Sequence, residues 1–134
     1  MKITENELEG VPILVIEGEL DQASKKVVLD AVGDILSGPF PQQSLLFDLT
    51  ACTFVDSGGL SVLLTAVGRL PEEGWLGIIG TSAGPNRVLQ YTGFLQLEQV
   101  RFFPTLEDAH WALAREAIKR RPRGRKQTRR PEED

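Results

Sequence analysis

The sequence predicts an α/β domain in which a mixed, largely parallel sheet carries about four packed helices. Three observations predict it. Short apolar runs recur along the chain, at residues 11–17, 44–49 and 75–79. Between them lie segments whose apolar residues return at helical spacing. At 134 residues, with 41% hydrophobic and 25% charged, the chain can build one real core and is too short for two ordinary domains.

The elements follow in order. Residues 2–8 and 11–17 read as two strands joined by a turn at Glu9-Gly10, the second rich in β-branched side chains. Pro12 is compatible with a strand's first residues or an edge. From Ser24 the period changes. Val28, Val32, Ile35 and Leu36 mark a helix that Ser24 or Asp21 can cap and that Gly38, Pro39 and Pro41 end. Residues 44–49 are short and apolar, as a strand buried on both faces requires. A turn holding Cys52 follows, then a helix from Ser57 to Leu70 that Pro71-Glu72-Glu73-Gly74 breaks. Residues 75–79 are another buried strand, and 80–84 a loop. Pro85 stands where a first helical residue would and Gly93 where a C-terminal cap glycine would, enclosing a short helix over 86–92. A weak strand over 95–100 precedes a last helix capped by Thr105 and marked by Leu106, Ala109, Leu113 and Ala117. The order is ββαβαβαβα, which implies parallel strands linked by helical crossovers after an opening hairpin.

Charge divides the chain. Residues 1–114 hold 6 Lys/Arg against 15 Asp/Glu, whereas residues 115–134 hold 9 against 4. The expected organisation is a domain over 1–118 and a basic, solvated tail over 119–134. That tail has the charge to meet nucleic acid, anionic lipid or the acidic body. No aromatic residue interleaves its charges, so base stacking is not indicated and direct nucleic-acid binding is not expected. No run approaches a membrane span, and Met1-Lys2-Ile3-Thr4-Glu5 is no signal peptide. With a single cysteine, these features favour a reducing, cytoplasmic setting. One cysteine and one histidine supply no zinc set, and no other cofactor is expected.

On a helical wheel, Leu60, Leu63, Leu64, Val67 and Leu70 fall together and are expected to face the sheet. Ser57, Gly58, Ser61, Thr65, Gly68 and Arg69 fall opposite, with Val62 and Ala66 at the margin of that arc. This second face is built of small groups, which either let a partner approach the backbone or make a plain surface helix. Ser57 is either the helix cap or, if Asp56 caps, an exposed first-turn residue. Parallel strands would place Asp21 near Asp56 and Ser57, on the edge where open α/β sheets hold their sites.

Three local motifs resemble the STAS domain family, in particular bacterial anti-sigma factor antagonists, over roughly residues 3–113. Gly18-Glu19-Leu20-Asp21 is similar to the family's G-E-L-D. Asp48-Leu49 with Phe54-Val55-Asp56-Ser57-Gly58-Gly59-Leu60 resembles D-L…F-[IMV]-D-S-[ST]-G-L. The stretch from Gly84-Pro85-Asn86 to Tyr91-Thr92-Gly93-Phe94 resembles the later helix with its closing [ST]-G-[LF]. The chain departs at Gly58, where the family usually has Ser or Thr.

The resemblance implies a binding module with no catalysis of its own. Ser57 is implied as phospho-acceptor. The outer face of its helix and the Asp21 loop are the expected partner-binding surface, with Asp21, Asp56, Ser57, Gly58, Ser61, Val62 and Thr65, extended by Arg87 and Tyr91. The unmodified form would bind an anti-sigma factor that is also a GHKL-type serine kinase, freeing sigma factor. Phosphorylation would release it, and a PP2C-type phosphatase would reset the cycle. An interaction module of a transporter-associated or stress-sensing assembly is the alternative. Against an enzyme, Ser57 has no histidine partner in sight, because His110 sits on the last helix, and 80–84 lacks a Gly-Lys-Ser/Thr signature. Cys52 is expected to be a structural thiol rather than a redox switch.

Overall fold

The computed structural model describes residues 1–37, 43–80 and 82–119. The opening hairpin joins β1 (Lys2–Leu8) to β2 (Val11–Leu20) in antiparallel register. Its two-residue turn places Glu9 at φ 50° and Gly10 at φ 83°, the left-handed pair that matches the twist of the flanking strands. Then come α1 (Lys25–Leu36), β3 (Ser44–Asp48), β4 (Cys52–Val55), α2 (Ser57–Arg69), β5 (Trp75–Ile79), α3 (Ala83–Tyr91), β6 (Val100–Phe103) and α4 (Leu106–Lys119). The main path of the sheet is β1-β2-β3-β5-β6, and every pairing after the hairpin is parallel. The α/β class and largely parallel sheet are those the sequence predicts.

Two elements differ in kind from expectation, and the short helix expected over 86–92 begins earlier, at Ala83 within the stretch read as a loop. Residues 52–55, read as part of a turn, form β4, which pairs parallel with the end of β2 across a register shift at Gly18/Glu19. The cause is the length of β2. Its first half pairs with β3, and its last residues extend past Asp48, where the chain turns (Asp48 Oδ1 accepts the Thr50 N–H at 3.0 Å) and rejoins the same strand. The weak strand expected over 95–100 is instead a 3-10 turn, Phe94–Gln96, followed by β6. Phe94 is drawn into the core directly after Gly93 (φ 79°), so the chain curls before it can extend. Thr105 caps α4 by accepting the Asp108 N–H at 3.0 Å. The helix stop assigned to Gly38, Pro39 and Pro41, and the tail beyond Lys119, lie outside the described residues.

The sheet separates two apolar layers. Leu14, Ile16, Leu45, Phe47, Leu76 and Ile78 project to one side, where α1, α2 and α3 bury them. Ile13, Leu46, Ile79 and Phe103 project to the other, against Ala109 and Leu113 of α4. Each fully buried Leu, Ile or Phe contributes about 1.5–3 kcal/mol relative to exposure, so both layers hold the C-terminal sheet edge in place.

Candidate functional site at the start of α2

The site lies where β2 and β4 end side by side. The Asp56 N–H points to Leu20 O (3.4 Å), and α2 begins at the next residue. Asp56 is the N-cap, its Oδ1 accepting the Gly59 N–H at 2.9 Å. Ser57 is therefore the exposed first-turn residue, and among the described residues its hydroxyl makes no hydrogen bond.

Asp21 stands beside this junction with a structural task of its own. Its N–H donates to Ser24 Oγ (2.9 Å), while its Oδ1 accepts the Ser24 N–H (3.0 Å) and lies 3.1 Å from Ser24 Oγ. This reciprocal pair closes the turn ahead of α1 and pins Gln22 against α2. The approach is close. A Cβ on Gly58 would sit 2.6 Å from Gln22 Cα, and one on Gly59 2.0 Å from Leu20 O. Both glycines are required by contact rather than by dihedral angle.

The face that α2 shows to solvent corrects the wheel. Val62 is fully buried and Gly58 is covered by Gln22, so neither offers a side chain to a partner. Leu64, assigned to the core, is 47% exposed. At ~100° per residue the burial stripe of Gly59, Val62, Leu63 and Ala66 is rotated by roughly a quarter turn from the expected one. The reason is a second neighbour. Helix α1 packs along α2, and Arg69 Nη1 reaches Leu29 O at 3.4 Å, so the Val62–Ala66 side faces protein and the Leu64 side does not. The outer face is Ser57, Leu64 and Gly68, with Ser61 and Thr65 half-exposed beside them. A small groove of about 80 Å³ runs beside it, between Leu60 and Leu64 on one wall and Phe94 and Leu97 on the other. Arg87 and Tyr91 are exposed on α3, Tyr91 at 91%.

Other singled-out residues lie apart from this site. His110 Nε2 is 2.9 Å from Glu9 Oε2 in the hairpin turn, not beside Ser57. Cys52 is buried, and its thiol donates to Phe54 O at 3.4 Å. Burial raises its pKa above the ordinary 9.0, the opposite of an activated thiolate. Among the described residues, no helix is long and apolar enough to cross a membrane.

A mixed sheet closed by an antiparallel hairpin, with a glycine-tight helix start at the C-terminal edge of β2 and β4, defines a class of protein. Residues 2–109 match the STAS domain, and the chain belongs to that family. Its relatives narrow the comparison. The chain is 26% identical over 107 residues to the anti-sigma-F factor antagonist RsfB of Mycobacterium tuberculosis, covering 80% of this chain and 84% of that one. An anti-sigma factor antagonist from Mycobacterium paratuberculosis superposes with a TM-score of 0.74 at 26% identity, over 84% of this chain and 93% of that one. The Bacillus cell fate determinant SpoIIAA in its phosphorylated form shares the fold, with a TM-score of 0.60 at 19% identity over 89% and 98% of the two chains.

Proposed function

We propose that this chain is an anti-sigma factor antagonist switched by phosphorylation of Ser57. The observation that carries the reading is the division of labour at the start of α2. Asp56 supplies the cap, so the exposed Ser57 hydroxyl can be modified without undoing the helix. The naming of RsfB as an anti-sigma-F factor antagonist, and of SpoIIAA in a phosphorylated form, supports the same reading.

In the unmodified state, the face of Ser57, Ser61, Leu64 and Thr65 docks an anti-sigma factor with GHKL-type serine kinase activity. The Asp21 loop and Arg87 and Tyr91 of α3 flank it. Transfer of a phosphate from ATP adds about −1.5 to −2 charges and three acceptor oxygens at a helix N-terminus. The free N–H groups and dipole of α2 accommodate that charge, so the domain stays folded. The docked partner instead meets a dianion beside Asp56. An interfacial penalty of ~3 kcal/mol weakens binding more than a hundredfold. A PP2C-type phosphatase restores the binding form, and no residue of this chain need be catalytic.

The test mixes the purified chain with a cognate kinase and ATP. One phosphate at Ser57 is expected, with Ser57→Ala binding constitutively and Ser57→Asp binding poorly. If Ser57→Asp binds as tightly as the parent chain, the switch is wrong. A pull-down with Ser57→Ala should retain a GHKL-type kinase, and recovery of a transporter subunit instead would favour the transporter-associated alternative.

A further inference from the structure

The opposite edge of the sheet holds a second feature. At the N-terminal ends of β5 and β6 lies an open cleft of about 450 Å³. Trp75, Gln99 and Arg101 form its inner wall, and Glu72, Glu73 and Glu98 its rim. The wall is rigidly made. Gln99 Nε2 lies 3.0 to 3.4 Å from the carbonyl oxygens of Pro71, Glu72 and Gly74, tying the 71–74 loop to the residue before β6. Arg101 lies over Trp75 at 4.6 Å and over Phe103 at 5.0 Å, and its guanidinium is bidentate to Glu116 of α4, at 2.7 and 3.2 Å.

Two consequences follow from those contacts. Among the described residues, the one cation lining the cleft, Arg101, is bonded to Glu116, whereas the side chains of Glu72, Glu73 and Glu98 make no ion pair or hydrogen bond. The rim therefore carries three uncompensated carboxylates. The wall also shows which cation suits it, since an arginine already packs there between an aromatic ring and a carboxylate.

We infer that the cleft is the docking site of the chain's own basic tail, residues 120–130. Seven Lys/Arg lie in residues 120–134 against three Asp/Glu, while residues 1–119 hold 8 against 16. The tail also starts at the right place. Lys119, the last described residue of α4, lies three residues or about 4.5 Å beyond Glu116, which is bonded to the cleft's Arg101. Fifteen extended residues span about 50 Å, ample to lay Arg120 to Arg125 across the rim. Tethering raises the tail's effective concentration to the order of millimolar, so an intrinsic affinity of about 0.1 mM already fills the cleft about nine times in ten. The cleft is on the sheet edge away from Ser57, so the docked tail leaves the α2 face open. The inference does not depend on the phospho-switch.

A spin label on Thr128→Cys in the full chain tests it by NMR, the buried Cys52 leaving one reactive thiol. Broadening of the backbone amides of 72–75 and 98–101 is expected. It should shrink several-fold as salt rises from about 0.05 to about 0.5 M, because exposed pairs are then screened. It should vanish when Glu72→Gln, Glu73→Gln and Glu98→Gln are combined. If that variant loses its dispersed spectrum, the reciprocal change of Arg120, Arg121, Arg123 and Arg125 to Gln supplies the same readout. Broadening elsewhere, or broadening indifferent to these substitutions, would overturn the inference. So would broadening only between labelled and unlabelled molecules in a mixture, which would make a second copy the occupant. Loss of the cleft contact only on adding an anionic vesicle or duplex DNA would support the docked state, with those ligands as competitors for the tail.

Discussion

Three glycines of α2 make one experiment, because the space beside each differs. A methyl at Gly58 meets Gln22 Cα, N and Oε1 at 2.6 to 2.7 Å, and two of those atoms are backbone. Ordinary carbon contacts lie at about 3.5–4.0 Å, so the Asp21–Ser24 turn must retreat by roughly 1 Å or the helix must shift. Overpacking of that kind costs about 1–3 kcal/mol, and alanine's helix propensity returns at most about 1 kcal/mol. Gly58→Ala should therefore lose about 1–2 kcal/mol, a fall of about 3–10 °C in Tm at this chain length. Gly58→Ser, which restores the residue the family usually has, should lose as much. Gly59→Ala is worse, since the methyl would stand 2.0 Å from Leu20 O, and about 3 kcal/mol or more is expected. Gly68 has nothing within 4 Å of its would-be Cβ, so Gly68→Ala should gain about 0.5–1 kcal/mol. Urea unfolding with unchanged m-values reads all of them. A Gly58→Ala protein as stable as the parent would refute the close approach of the Asp21 loop. A stabilised Gly59→Ala would refute the packing of α2 on β2.

Other outcomes test the remaining geometry. Leu63→Ala should cost about 2–5 kcal/mol and Leu64→Ala within about 0.5 kcal/mol, although the two are adjacent, and equal costs would put the rotation of α2 in error. Ser57→Asp, while weakening partner binding, should leave the urea midpoint unchanged or raise it by about 0.3–1 kcal/mol equivalent, as a negative charge near a helix N-terminus does. Burial raises the folded Cys52 thiol above its ordinary 9.0, so the folded state holds that proton more tightly than the unfolded one. Its contribution is whole below the unfolded pKa and is lost as pH rises through the folded value, and a Cys52→Ala chain should show a flatter alkaline decline in a pH series of unfolding midpoints.

Much of this architecture was legible along the chain because the responsible signals are local. The Glu9-Gly10 turn, the Gly93 stop and the Thr105 cap each act on residues a few positions away, and each stands where the pattern places it. The run into Asp56-Ser57 likewise announces a helix start by composition alone. It could not say which of the two residues caps, since both types serve that purpose.

The tertiary structure decided what depends on neighbours far apart in sequence. Residues 52–55 became β4 because β2 runs on past β3 and offers an unpaired edge. The buried arc of α2 differs from the apolar arc of its wheel because a wheel weighs hydrophobicity about one axis and assumes one buried side. With α1 packed along it as well as the sheet beneath, the helix turned Val62 and Ala66 inward and left Leu64 in solvent. Ser57 kept its exposure under either arrangement. Its free hydroxyl was settled only when Asp56 took the Gly59 N–H and Gln22 closed over Gly58, contacts that exist once β2 and β4 lie side by side. The sequence alone determined that an α/β sheet would end in a serine-bearing helix. Which side of that helix meets solvent was a matter of packing, because burial is shared among all the elements that touch a face and not written in any one of them.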